Sequence, residues 1–291
     1  REKSWFYLKN LTADATIDTT QMEFRNFLLE TPQTRLTDYF LMKYDTFRDF
    51  NDFTSKIYMN AHFANARINS SDISYFAPDL RNSKIDLLVS GNATGYVNDL
   101  KARQFSVRSG QATYLKGDFT IKGLPDINTT MMDLDFGQVS TNKKDLEMII
   151  SRATGSTAAF IPPIADKFGN VSFKGRFTGF TNDFIAYGEI KTRLGRVVTD
   201  INMKLNSKGD PVYQGNVEAY DFNLGDLLDE RDLGRTSFTA DINGRGFKLN
   251  SLRESLRASI RYFDFRDYRY NNIRVDGNFA DNLFKGNIKV D

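Results

Sequence analysis

A chain of 291 residues, 40% apolar and 13% aromatic with 25 Phe, can bury a sizeable core as one elongated domain or two ordinary ones. Its 39 basic and 37 acidic residues leave a net charge of +2, which argues against a nucleic-acid binder, since that needs a basic face to displace counterions. The absence of cysteine excludes a thiol nucleophile, a thiolate metal site and a disulfide, and one histidine, His62, rules out a multi-histidine metal site.

Along the chain, QMEFRNFLLE (Gln21 to Glu30) reads as a short helix. In NAHFANAR, His62 alternates with Ala61 and Phe63 and has no evident serine or carboxylate partner, so it reads as a surface strand residue, not a base. SSDISYFAPDL offers a turn of helix stopped near Pro78. LKGDFTIKG places Leu115, Phe119 and Ile121 on one face, and MMDLDFG places Met132, Leu134 and Phe136. Asp133 and Asp135 fall on the opposite, solvated face, the ordinary pattern and not a glycosidase pair. KKDLEMIISRATG has Leu146, Ile149 and Ile150 at helical spacing, with Thr141 or Asn142 as cap.

Pro162-Pro163 reads as a helix-to-strand connector inside one repeat unit. NVSFKGRFTGF sets Val171, Phe173, Gly175 and Phe177 against Asn170, Ser172, Lys174 and Arg176. GRVVTDINMKL sets Val197, Thr199, Ile201, Met203 and Leu205 against Val198, Asp200, Asn202 and Lys204. LGDLLDERDLG reads as a short helix closed by Gly234. RTSFTADING, NIRVDGNF and FKGNIKV continue the alternation with Phe238, Ala240, Ile242, Ile273, Val275, Phe279, Phe284, Ile288 and Val290. IRYFDFRDYRYNNIRV interleaves arginines with aromatics. The balancing aspartates favour a strand pair with Arg stems over an aromatic face, not a single-strand nucleic-acid platform.

GNATGYVNDLKA (Gly91 to Ala102) recurs as GRFTGFTNDFIA (Gly175 to Ala186), with identity at Gly91/Gly175, Thr94/Thr178, Gly95/Gly179, Asn98/Asn182, Asp99/Asp183 and Ala102/Ala186. A phosphate-binding loop would need a helix to follow, whereas LKARQFSVRSG reads as strand, so a strand, a tight turn and a second strand is the better reading. Asp72-Ile73, Asp145-Leu146 and Asp226-Leu227 each precede a glycine-bearing strand, and a looser copy of the turn follows at Gly246 to Leu252. The chain therefore reads as one repeat array over 1–291, with approximate units 1–71, 72–144, 145–225 and 226–291.

These patterns predict a mainly β fold: an elongated, curled antiparallel sheet with a few short helices. No apolar run approaches the ~18 residues of a membrane span. The chain begins at Arg1 and closes on strand-like IKVD, which reads as a segment of a longer protein with any anchor outside it.

The blocks TYLKGDFTIKGLPDINTTMMDLDF, TNKKDLEMII, FGNVSFKGRFTGFTNDFIAYGEIKTRLGRVVTDINMKL and YQGNVEAYDFNLGDLL, taken in order, resemble the TamB-like translocation and assembly proteins of the wider AsmA-like group. The resemblance runs from about Ile57 to Asp291 and rests on repeat patterns, not on a catalytic signature. It implies a U-shaped β-groove in the periplasm, in a protein anchored in the inner membrane and reaching the outer membrane. It also implies phospholipid as cargo and a TamA-like barrel of the Omp85 class as partner, met through regions outside this segment.

The expected function is a non-catalytic, lipid-conducting groove without cofactor, metal or nucleic acid. Its expected lining is Phe119, Ile121, Leu134, Phe136, Phe173, Phe177, Ile190, Val197, Ile201, Met203, Leu205, Phe238, Ile242, Ile273, Val275, Phe279, Phe284 and Ile288. The alternatives are an outer-membrane protein assembly factor acting through an edge strand, and an extracellular β-solenoid adhesin or carbohydrate-active protein.

Overall fold

The computed structural model describes residues 7–74, 85–154, 161, 163–207, 209–246, 253–280 and 283–290. The chain forms two compact units, 1–161 and 162–291, and the boundary falls at the Pro162-Pro163 connector. The first unit holds β1 (Asn10–Ile17), β2 (Gln21–Glu30), β3 (Arg35–Lys43), β4 (Tyr58–Asn69), β5 (Asp86–Tyr96), β6 (Asp99–Ser109), β7 (Thr113–Lys122) and β8 (Met131–Asn142). The second holds β9 (Asn170–Phe180), β10 (Asp183–Thr192), β11 (Gly195–Leu205), β12 (Pro211–Asn223), β13 (Leu233–Arg245), β14 (Arg253–Phe265), β15 (Tyr268–Ala280) and β16 (Leu283–Val290).

In each unit the strands lie in chain order, every neighbouring pair is antiparallel, and the sheet is not closed. The expected mainly β, antiparallel architecture with few short helices is therefore found. Strands run from 8 to 13 residues, against a usual ~5–6.

Among the described residues the helices are α1 (Phe53–Lys56), α2 (Ser70–Ile73), α3 (Lys143–Thr154) and α4 (Leu224–Leu228), with 3-10 turns at Phe47–Asp52 and Pro163–Phe168. α2 follows β4, α3 follows β8 and α4 follows β12, each behind an asparagine cap. Asn69 Oδ1 accepts the Ser71 amide at 3.0 Å, Asn142 Oδ1 the Asp145 amide at 2.9 Å, and Asn223 Oδ1 the Asp226 amide at 3.0 Å. The aspartates expected to mark repeated segments thus sit in the first turns of these helices.

Asp145 then reaches back to the β6–β7 turn, where its Oδ2 accepts the amides of Gln111, Ala112 and Thr113 at 2.9, 2.6 and 2.9 Å. Asp72 Oδ2 similarly accepts the Thr31 hydroxyl of the β2–β3 turn at 2.6 Å. In the second unit the β10–β11 turn instead inserts Leu194, fully buried, against Ala219 and Phe222, with Phe168, Leu224 and Leu227 around them.

Three expectations are corrected. Gln21–Glu30 is strand β2, not a helix. Its apolar positions, Met22, Phe24, Phe27 and Leu29, skip a step because Asn26 (φ 49°) forms a bulge, and a period of two interrupted once imitates helical spacing. Helix α4 ends at Asp229, in the left-handed region at φ 58°, whereas Gly234 belongs to β13. His62 does have a carboxylate partner: its Nδ1 meets Asp38 Oδ2, from a β3 position at φ 106° that lies opposite the bulges of β2 and β4. The stop near Pro78 lies outside the described residues, as do residues 247–252 of the third turn.

Candidate functional site

Register partners on adjacent antiparallel strands project to the same face, so the pairings trace rows of side chains across each sheet. In the second unit one row runs Phe173, Ile190, Val197, Ala219, Phe238, Ile260, Ile273 and Val290, crossing β9 to β16. The next runs Gly175, Gly188, Thr199, Val217, Ala240, Ala258, Val275 and Ile288. A third runs Phe177, Ala186, Ile201, Gly215, Ile242, Leu256, Gly277 and Gly286. None of the three contains a charge. Eight strands about 4.8 Å apart make each row roughly 34 Å long.

Every expected lining residue of this unit shares that face. Met203 pairs with Phe184 and Tyr213, Leu205 with Pro211, and Phe279 with Phe284 in the flanking positions. The Phe279 side chain lies outside the described residues. Ile273 is buried, while Leu205 and Ile288 are exposed at 38% and 62%. The other described lining side chains are half-buried, so this face is not the dry interior of a sandwich. Phe177 and Phe184 meet with ring centroids 4.7 Å apart.

The first unit repeats the arrangement. One row is Ile17, Met22, Met42, Met59, Gly95, Leu100, Ile121 and Met132, and its neighbour is Ala15, Phe24, Phe40, Ala61, Ala93, Ala102, Phe119 and Leu134. Phe136 pairs with Gly117 on the same face and packs on Phe119 at 5.5 Å, so the expected Phe119, Ile121, Leu134 and Phe136 are brought together.

Sequence reading missed the contributions of β1 to β6. Bulges at Asn26, Asn65 and Gln104, with φ of 49°, 54° and 49°, shift the alternation inside β2, β4 and β6. The signal that could have found them is an asparagine or glutamine at the point where the spacing of apolar residues changes from two to three.

The opposite faces are polar, and several of their charges pair across strands. Lys204 meets Asp183 at 2.9 Å and Lys122 meets Asp99 at 3.3 Å. Hydrogen bonds from Lys191 and Arg196 hold the Glu189 carboxyl below the usual range. Asp133 and Asp135 take this face, opposite Thr120 and Asp118.

The repeated glycine phrases form equivalent hairpins. The turns are Val97-Asn98 and Thr181-Asn182, and Asp99 and Asp183 open the following strands. A Cβ at Gly95 (φ 115°) would stand 2.2 Å from the Asp99 carbonyl oxygen, and one at Gly179 (φ 137°) 2.3 Å from that of Asp183. The glycines therefore admit a close strand crossing, and β6 and β10 follow where a phosphate loop would need a helix.

No protein family, curated protein or solved structure matches this chain. Among the described residues no group of acidic and histidine side chains is placed to hold a metal, and no helix is long and apolar enough to cross a membrane.

Proposed function

We propose that the apolar faces form a lipid-conducting groove, over which acyl chains slide while headgroups stay at the wet rim. The carrying observation is the set of uncharged rows that cross eight strands in each unit, whose large side chains other than Phe119 and Ile273 remain partly exposed. Removing a methylene from water onto such a surface is worth about 0.8 kcal/mol. Rows without fixed charges give an acyl chain no deep well in which to stop. On this reading the strands of each unit curl into a trough, the protein works non-catalytically in the periplasm, and phospholipid is the cargo. The resemblance to TamB-like proteins supports this setting and a TamA-like barrel as partner.

The test is a photo-crosslinker placed at Phe177 or Met203 on the apolar face, and at Lys174 or Lys204 on the polar face. Lipid capture from the first pair alone supports the groove. Equal capture from both pairs defeats it.

A further inference from the structure

The polar face of the second unit contains a hollow of about 500 Å³, within the size range of small-ligand sites. It lies between two bulges. One inserts a residue into β12 between Ala219 and Phe222, and the other leaves Arg261 of β14 between Ile260 and Tyr262, which pair with Phe238 and Ser237. A bulge bends its strand and re-aims the extra side chain. Arg261 is that extra residue; it is exposed, lines the hollow and has no carboxylate partner among the described residues.

Its lining includes the short hydroxyl side chains Ser237, Thr239 and Ser259, of which Ser237 Oγ accepts the Asp221 amide at 2.8 Å, together with Arg274 and Asn272. Thr239 pairs with Ser259, which pairs with Arg274, so hydroxyls and a guanidinium follow one another along a single row. The lining carboxylate, Glu218, accepts the Tyr220 hydroxyl, and Arg196 lies over the Tyr220 ring at 3.9 Å. An adjoining hollow of about 440 Å³ shares Thr239, Ser259 and Arg274 and adds Arg257 and Lys289. There Asp276 faces Arg257 at 3.6 Å, and Asp241 accepts the Asn216 amide at 3.1 Å.

Guanidinium forks match phosphate and carboxylate oxygens, while hydroxyl and amide groups can both donate to and accept from sugar hydroxyls. We propose that this hollow binds a sugar carrying an anionic group, and that the adjoining one takes the next unit of an acidic saccharide. The site is on the face opposite the apolar rows and stands independently of the lipid reading.

Calorimetric titration of the whole chain with glucose 6-phosphate, glucose and inorganic phosphate tests it. Glucose 6-phosphate saturates, and glucose and phosphate each bind at least ~10-fold more weakly, because each lacks one half of the recognised chemistry. Arg261→Ala weakens glucose 6-phosphate by a similar factor with an unchanged unfolding midpoint, and Arg261→Lys is intermediate because the fork is lost but the charge kept. Sedimentation with phosphatidylcholine vesicles, with and without lipid A, separates the sources: retention by lipid A that glucose 6-phosphate competes away assigns a glycolipid headgroup, and its absence assigns a free saccharide. The proposal is overturned if no saturable binding occurs at millimolar glucose 6-phosphate, if phosphate alone binds as well, or if Arg261→Ala binds like the parent.

Discussion

Gly175 and Gly188 are register partners on the apolar face, and the ring of Phe173 lies over both. A Cβ on Gly175 would stand 2.8 Å from Phe173 Cζ, and one on Gly188 2.6 Å from Phe173 Cε2. The same device recurs at Gly277 and Gly286, where the Phe284 ring would meet the added atoms at 2.6 and 2.8 Å. Glycine in a strand leaves no side chain to pack, and a neighbouring aromatic ring can fill that space.

Gly175→Ala should therefore destabilise the second unit by about 1–3 kcal/mol through overpacking against the ring and the Tyr187 carbonyl. Phe173→Ala should cost less than the roughly 3–5 kcal/mol of a fully buried Phe, because Phe173 is half-buried. In the double variant part of the clash is gone, so the sum of the single costs should exceed the measured total. A denaturant double-mutant cycle checks this; strict additivity would show that ring and glycines do not share the contact.

Asp145 should make the first unit sensitive to acid. Burial alone raises its carboxyl, but the amides of Ala112, Thr113 and Gln111 outweigh this and hold it below the usual carboxylate range. A depressed folded value means that the contribution is complete above the unfolded value of about 3.9 and is lost as pH falls through the folded one. Asp145→Ala should remove about 2–3 kcal/mol near neutral pH by unsatisfying the β6–β7 turn. Asp145→Asn should flatten the acid limb of midpoint against pH, and an unchanged limb would assign it to other carboxylates.

Leu194 is fully buried beneath Ala219 and Phe222. Leu194→Ala should cost about 2–5 kcal/mol in transfer energy and cavity. Amide exchange should then rise first around the β10–β11 turn and α4, whose contacts converge on that side chain. Uniform loss of protection instead would mean that the turn is not the local support.

A charge placed in an apolar row separates function from folding. Ile201 is half-buried in the middle of a charge-free row, so Ile201→Asp leaves the carboxylate reachable by water. The expected outcome is a preserved far-ultraviolet spectrum with loss of lipid crosslinking from Met203 in the same unit. Undiminished crosslinking would contradict a sliding surface.

Much of the second sheet was legible because its strands alternate with few interruptions. NVSFKGRFTGF and GRVVTDINMKL become β9 and β11 with the expected faces. The early strands were less legible. In β2 the bulge at Asn26 turned a two-residue period into an apparent helix, and in β3 the backbone at Asp38 swung a carboxylate to His62 that strict alternation would not place there. The pocket around Arg261 was invisible for the same reason, since a bulge is a relation between two strands.

By itself the sequence determined the composition of each face in the uninterrupted strands such as β9 and β11, because side chains alternate along such a strand whatever it pairs with. It also placed a helix start at Thr141 or Asn142, of which the structure uses Asn142, since a cap acts within three residues. Only the tertiary structure decided which residues form continuous rows, where bulges interrupt them, and that Phe173 covers a glycine pair split between its own strand and the next. Register is set by pairing between segments distant along the chain, and no local spacing encodes it.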